Sequence, residues 1–499
     1  MTRGQEVVKC ARVSEDTFSR GASSTYFVLV LALAPNPSLR PSERFALDLL
    51  VDLSAVLPYP GSEEVVRIEV VDERDRPALA QLRARSWGIA PGDGVVTIDR
   101  GLLTFVTEVA LAVAEQGSTA ADRFNRVPSS ATPLVVAGAE REPVISIAAQ
   151  ALASAVRASA GRRRFYAIDP WPGGRQWAVA LTHDLDVVQW WPAFTSLRLL
   201  ELIRRGELAR ALGVVKAAMA SGGRHVVWHG IRSVLDAETE SHVRSTWFVL
   251  CGTPTFATAR AGDLTYSPES SQTRRILNVI AGGGHEIGLH GSFATSDDHA
   301  LFLAQRSRLE SLVDPVVGVR QHYLRMRAGT TPRGMAKGGF RYDSTFGFAD
   351  RNGFRLGTAD VLPLWDADAG APMKIDEAPF TWMDRALSKY RGVEDPVQWI
   401  DDALELADTC RSVNGLWVGI WHPNLTPALG FPGAPQAYRR LVASLVQREP
   451  YIAPLRELVA WRRARRSARA TAVRPDGRIV VTSDASVLIR DADGRAIDA

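Results

Sequence analysis

The run Trp177-Ala-Val-Ala-Leu-Thr-His-Asp-Leu-Asp186 has few structural solutions, because it is apolar and strand-like until it ends in two carboxylates two residues apart. Along a strand, alternate side chains point the same way. Thr182, Asp184 and Asp186 therefore share one face at the strand's carboxyl end, where α/β barrels assemble their sites. Two carboxylates so close are costly without a cation or a shared proton. An isolated Asp-x-Asp pair also fits a turn or a solvated loop, so other segments must join it for the pair to carry chemistry.

Three later segments have the required form, each an apolar run ending in a polar residue. Gly284-His-Glu-Ile-Gly-Leu-His-Gly-Ser292 has histidines five apart, which is not the four-residue spacing of a zinc-protease helix. As a strand it puts Glu286, Gly288 and His290 on one face and His285, Ile287 and Leu289 on the other. In Gly318-Val-Arg-Gln-His-Tyr-Leu-Arg325, Arg320 and His322 share a face. In Gly415-Leu-Trp-Val-Gly-Ile-Trp-His422, alternation groups Val418, Ile420 and His422, and Pro423 ends the strand.

At these residues the chain resembles the polysaccharide deacetylase family, metal-dependent carbohydrate esterases built on a distorted, incompletely closed (β/α) barrel. The order is similar throughout: an Asp pair after the first strand, Gly-His-Glu-Ile-Gly-x-His, an Arg-led strand, and a late strand ending in His, spanning about Arg175 to Arg463. The resemblance implies that Asp184 is the general base, Asp186 and His290 hold the metal, His422 is the acid, and Arg320 orients Asp184. It also implies a late carboxylate near His422, for which Asp343 and Asp384 both stand. The chain departs from the family's pattern twice. Leu185 separates the two aspartates, and the second metal histidine, four residues after His290, is replaced by Ala294. His322 is the preferred third ligand, since it follows Arg320 by two residues and should project into the same cavity. One Asp, two His and open positions for water and substrate suit Zn²⁺ or a similar divalent ion.

Such a set could hydrolyse the amide of an N-acetyl sugar: a metal polarises the carbonyl, a carboxylate takes a proton from water, and an imidazolium protonates the departing nitrogen. The expected function is a metal-dependent hydrolase removing N-acetyl groups from a glycan or glycan precursor. Three rivals are a degenerate, carbohydrate-binding relative without hydrolytic activity, a hydrolase of a non-sugar C-N bond, and a scaffold whose N-terminal region does the biological work. Plainer readings apply to other residues. His183 and His285 face away from the cavity and should pack against helices, while Ser296-Asp-Asp-His299 reads as a helix start capped by Ser296 or Asp297.

The 499 residues, 46% hydrophobic, are enough for two or three cores, and a net charge of +4 does not point to nucleic acid. The cluster Arg462, Arg463, Arg465, Arg466 and Arg469 reads as a solvated helix end, with peripheral contact to an anionic membrane as the sharper alternative. Cys10, Cys251 and Cys410 are isolated, which fits a reduced compartment. The start lacks the apolar core of a signal peptide and Tyr26 to Pro35 is too short to span a bilayer, so cytoplasmic residence and an intracellular or lipid-linked glycan precursor are expected.

The fold expected is α/β in three parts: residues 1–165 as an N-terminal α/β domain without catalytic motifs, 166–465 as the deacetylase-like barrel, and 466–499 as a small β tail. The N-terminal strands are placed at Phe27 to Leu33, Val65 to Val71, Val95 to Ile98 and Leu134 to Ala137, with helices at Ser42 to Leu57, Leu103 to Gln116 and Val144 to Ala158. An insertion at about 187–245, with Trp190, Trp191 and Trp228, reads as a lid whose aromatics anchor it to the barrel.

Overall fold

The structure is a computed structural model, and it describes residues 30–33, 39–56, 65–71, 87–160, 167–188, 192–220, 222, 226–253, 255, 266–313, 315–473, 479–482, 489–490 and 496–497. Trp190, Trp191 and Cys10 lie outside these residues.

The N-terminal region is a four-stranded sheet of order β1-β2-β4-β3, made of β1 (Val30–Leu33), β2 (Val65–Val71), β3 (Ile89–Pro91) and β4 (Val95–Asp99). Only β3 runs antiparallel to its neighbour. Helices α1 (Pro41–Leu53), α2 (Arg100–Val109) and α3 (Val144–Ala160) bury apolar faces in a core continuous with the outer layer of the barrel. The expected strand at Leu134 to Ala137 is instead the short helix Pro133–Val136. Pro133 occupies its first turn, where a missing N–H costs nothing. Four apolar residues carry too little periodicity to tell strand from helix.

Around the site, β6 (Ala178–Leu185), β7 (Thr246–Leu250), β8 (Glu286–Gly291), β9 (Gly318–Gln321), β10 (Tyr342–Asp343), β11 (Leu362–Asp366), β12 (Ala371–Glu377), β13 (Trp382–Met383) and β14 (Leu416–Ile420) form one curled sheet, after a short β5 (Ala167–Ile168). Its order is β11-β12-β10-β9-β8-β7-β6-β14-β13, and β15 (Tyr451–Ile452) pairs with the start of β6. Every pairing is parallel except β11 with β12. Among the described residues β12 and β13 do not pair, so the (β/α) barrel stays open, the distorted barrel that the motifs imply. Edge strand β11 and short β13 escape the sequence reading.

Side-chain alternation sorts these strands into two cores. Ala178 and Ala180 of β6, Phe248 of β7, and Val418 and Ile420 of β14 fill the barrel interior, whereas Val179, Leu181, Trp247 and Trp417 face the helical layer. At Gly318 a Cβ would lie 2.1 Å from the Tyr342 ring, so only glycine admits that ring beside β9. Tyr342 in turn donates to Glu286 Oε1 at 2.8 Å, and Thr246 donates to Glu286 Oε2 at 2.9 Å, closing the barrel floor with a satisfied buried carboxyl.

The β6–β7 connection holds α4 (Pro192–Arg204), α5 (Leu208–Ala220) and α6 (Val226–Glu240). Helix α6 lies against the barrel wall: Gly230 sits so near the Pro423 carbonyl that a Cβ would be 2.0 Å from its oxygen. From α6 the buried Glu238 carboxylate meets His183 Nε2 at 2.8 Å and takes hydrogen bonds from Ser245 and Tyr438. His285 Nδ1 lies 3.0 Å from Ser245 Oγ and accepts from the Ser245 N–H. Both outward histidines are thus held by helix and sheet, away from the cavity.

Helix α7 (Ser271–Gly282) is capped by Ser270. Helix α8 (Ala300–Glu310) starts later than the sequence predicts, because Asp298, not Ser296 or Asp297, accepts from the Ala300 N–H and Asp297 pairs with Arg325. After α9 (Pro396–Ser412) and α10 (Ala434–Val446), α11 (Leu455–Ser467) corrects the reading of the basic cluster. Arg462 and Arg465 are buried. Arg462 meets Asp360 at 2.6 Å and Asp52 at 3.4 Å, Arg466 bridges Asp52 and Asp376, and Arg463 also pairs with Asp376. The cluster staples α11 to α1 and the barrel, so it is not a free, membrane-facing patch. Among the described residues no helix is long and apolar enough to cross a membrane. In the tail, β16 (Arg469–Val473) pairs with β17 (Ile479–Thr482), and β18 (Ile489–Arg490) lies between β5 and β19 (Ala496–Ile497).

At the ends of β10 and β12, Asp343 Oδ2 and Glu377 Oε2 are buried with no partner of their own. One shared proton would satisfy both, and burial pushes Asp343 up to about 6 and Glu377 well above its usual range. A raised carboxyl pKa means the folded state binds more protons than the unfolded chain, so this contribution is present at low pH and lost as pH rises from about 4 through 6. Glu377→Gln, whose amide can donate to Asp343 and still accept from Phe346 N–H, is expected to flatten that decline. Thermal unfolding of both proteins between pH 4 and 8 checks it; equal slopes would rule out the shared proton.

Candidate metal centre and catalytic site

The strand ends place the predicted residues together on one rim. Asp184 and Asp186 leave β6, His290 ends β8, Arg320 lies in β9 with His322 just beyond it, and His422 follows β14 by two residues. All but the buried Arg320 line one cavity of about 280 Å³.

Arg320 is wholly buried and each nitrogen of its guanidinium has a partner. It donates to Asp184 Oδ1 at 2.8 Å, to Thr182 Oγ1 at 2.9 Å, and to the Ser344 carbonyl and hydroxyl, each at 2.8 Å. The Phe248 ring lies beneath it, 4.3 Å from ring centre to guanidinium carbon. Burial alone would raise the Asp184 pKa, but Arg320, His290 and His422 outweigh it and hold Asp184 below the usual carboxylate range. Asp184 is therefore ionised, the state a base must start from, with one oxygen fixed and Oδ2 turned toward His290 Nε2, 3.9 Å away.

One carboxylate and two imidazoles converge beside it. Ligand atoms of Asp186, His290 and His322 lie within 4.8 Å of one another. Asp186 Oδ1 is 3.2 Å from His290 Nε2 and 3.7 Å from His322 Nε2. His290 Nδ1 is 2.9 Å from the Arg320 carbonyl, which can only accept, so Nδ1 carries the hydrogen and Nε2 offers a lone pair to the centre. Asp186 Oδ1 is buried with no hydrogen-bond partner. An orphaned carboxylate oxygen between two imidazoles fits a divalent cation. His322 thus stands where the sequence reading needs a third ligand. Ala294 lies in the 3-10 turn Phe293–Ser296 and does not line the cavity.

Asp384, and not Asp343, is the late carboxylate. It follows β13, is fully buried, and accepts from both the backbone N–H and Nδ1 of His422, each at 2.6 Å. Burial disfavours the imidazolium, but Asp384 outweighs it and raises the His422 pKa. His422 Nε2 points into the centre, 3.7 Å from Asp186 Oδ2.

No family model and no curated protein matches the sequence. Among solved structures, the chain is similar to a candidate polysaccharide deacetylase from Mycobacterium smegmatis, at 23% identity over 61% of this chain and 96% of that one, with a TM-score of 0.40. It is also similar to a candidate polysaccharide deacetylase from Pseudomonas aeruginosa, at 16% identity over 60% and 94% of the two chains and a TM-score of 0.39. An allantoinase follows at 15% identity over 58% and 92%, with a TM-score of 0.38. The functional reading rests on the side chains of this site.

Some of the site escapes sequence reasoning. Beyond β9 the chain leaves the strand at once, with Tyr323 and Leu324 both in the left-handed region at φ 60° and 53°. That conformation costs an L residue on the order of 1–2 kcal/mol, and the N-terminal region holds it in place. Phe124 stacks on Tyr323 with centroids 5.0 Å apart, Tyr323 stacks on His322 at 4.1 Å, and Arg126 donates to the Tyr323 carbonyl at 2.6 Å. Arg126 lines the cavity itself, as do Arg385, Lys389 and Tyr390. The Asp122 turn that accepts from Phe124 and Arg126 N–H groups is legible as a turn, but nothing local says where it docks. Phe124→Ala is expected to loosen the His322 turn and weaken divalent-metal affinity by about tenfold, as loss of an outer support does. Metal titration by calorimetry reads this directly; wild-type affinity would mean that the turn holds itself.

Proposed function

We propose that the chain is a divalent-metal amide hydrolase that removes an N-acetyl group from a glycan or glycan precursor, free or lipid-linked, and that zinc suits its donor set. What carries this reading is the convergence in one cavity of an ionised carboxylate fixed by Arg320, a three-residue cation centre and a His422–Asp384 pair. A divalent ion bound by Asp186, His290 and His322 would polarise the acyl oxygen and acidify a water. Asp184 Oδ2 takes a proton as water oxygen bonds to the acyl carbon, and Arg320 keeps that carboxylate aimed and ionised. His422, kept charged by Asp384, gives its Nε2 proton to the nitrogen as the C–N bond breaks, leaving acetic acid and an amine, between which the acid proton then passes to give acetate and an ammonium. Asp184 then returns its proton through solvent to His422.

The test is acetate release from N-acetylated oligosaccharides and sugar phosphates by protein loaded with zinc, cobalt or manganese. Bound metal without acetate from any N-acetyl substrate, while a cyclic amide is opened, would move the assignment to a non-sugar C–N bond.

A further inference from the structure

The same cavity is rimmed by cations that the catalytic reading does not use. Arg126, Arg385 and Lys389 line it, the first from the N-terminal region and the other two from the chain just after β13. Arg126 is answered by Asp122 at 2.6 Å and the Tyr323 carbonyl. The other two differ. Arg385 precedes the π-helical turn Ala386–Tyr390 and lies 5.7 Å from the Phe431 ring, and Lys389 lies 5.7 Å from the Tyr390 ring. Among the described residues neither has a carboxylate within ion-pair distance. The site's own acids are committed elsewhere: Asp184 to Arg320, Asp384 to His422, and Asp186 to the histidines of the cation centre.

Like charges gathered without counter-ions repel, and the repulsion is relieved by an anion from outside. Partial burial and then the charges of Arg385 and Arg123 lower the Lys389 ammonium below its usual range, outweighing the Asp186 carboxylate, although its side chain reaches solvent. The ordinary reading of exposed Arg and Lys is a solvated surface. Here Arg385 and Lys389 stand on one short segment and both line the wall of one cavity, beside the candidate acid His422, and Lys389 sits on a π-turn, a rare form often found at functional sites.

We propose that the substrate carries an oxyanion, a phosphate or a carboxylate, on the acylated sugar or its neighbour, and that Arg385 and Lys389 bind it. This rests on the hydrolase reading above for the position of the acyl group. Guanidinium and ammonium donors on an oxyanion make the strong, charge-assisted class of hydrogen bond.

Calorimetric titration of the full chain with N-acetylglucosamine, N-acetylglucosamine 1-phosphate and the 6-carboxylate of N-acetylglucosamine tests the idea. At least one anionic sugar should bind roughly 10- to 100-fold tighter than the neutral one, and the gap should narrow as salt is raised. A phosphate-only gain names a phosphorylated sugar; a carboxylate-only gain names a uronic acid. Arg385→Ala/Lys389→Ala should erase the preference while neutral-sugar binding and thermal unfolding stay as in the parent, and Arg385→Lys should restore part of it. Equal binding of all three sugars overturns the proposal, as does a preference that survives the double substitution. The outcomes separate from those of the hydrolase reading: anion-selective binding without acetate release sinks only the latter, and acetate release without selectivity sinks only the former.

Discussion

Replacing Asp186 with alanine is expected to cost the protein its divalent metal while sparing its fold. Asp186 lies between His290 and His322 with Oδ1 unpartnered, and its side chain is 25% exposed at the cavity mouth, so its removal opens no void in either core. Loss of an outer support around a metal typically costs 10- to 100-fold in affinity, so loss of a direct ligand should exceed about 100-fold. His290→Ala should do the same, because Nε2 is the nitrogen left free by the bond at Nδ1. Elemental analysis after dialysis, with circular dichroism and Tm as fold controls, reads the result. Stoichiometric metal in well-folded Asp186→Ala would remove this centre.

Asp184→Asn should separate catalysis from metal binding. The amide keeps the shape of the carboxylate and an oxygen for Arg320, but it cannot accept the proton of the attacking water. We expect kcat to fall by about 10²-fold or more, with metal content unchanged. His422→Gln is the companion, since its side chain can still donate toward Asp384 and so avoids stranding a buried charge, yet carries no transferable proton near neutral pH. Near-normal turnover in either variant would take that residue out of the mechanism.

Much of the rim was legible because strands impose a period of two. Thr182, Asp184 and Asp186 face one way while His183 faces Trp247 and Tyr438 in the helical layer, as alternation requires. The same rule put Arg320 and His322 on one side, the first beneath the cavity and the second on its wall, even though the strand stops at Gln321 and Tyr323 and Leu324 adopt left-handed conformations. It could not choose Asp384 over Asp343. That choice depends on where β13 sits beside β14, which is a matter of sheet order rather than of any local pattern. The reading of the basic run in α11 failed for a related reason: a sequence shows which residues are charged but not which carboxylates will meet them, and Asp52, Asp360 and Asp376 come from three distant segments.

By itself, then, the sequence determined the strand ends, the face each site residue takes and the chemistry those residues could share, because these follow from a period that neighbouring residues enforce. Only the tertiary structure decided that Asp384 holds His422, that Phe124 and Arg126 brace the His322 turn, and that Arg385 and Lys389 reach the cavity wall. Each of those contacts joins segments well separated in the chain, and such encounters are set by the packing of whole layers, which no local pattern of residues encodes.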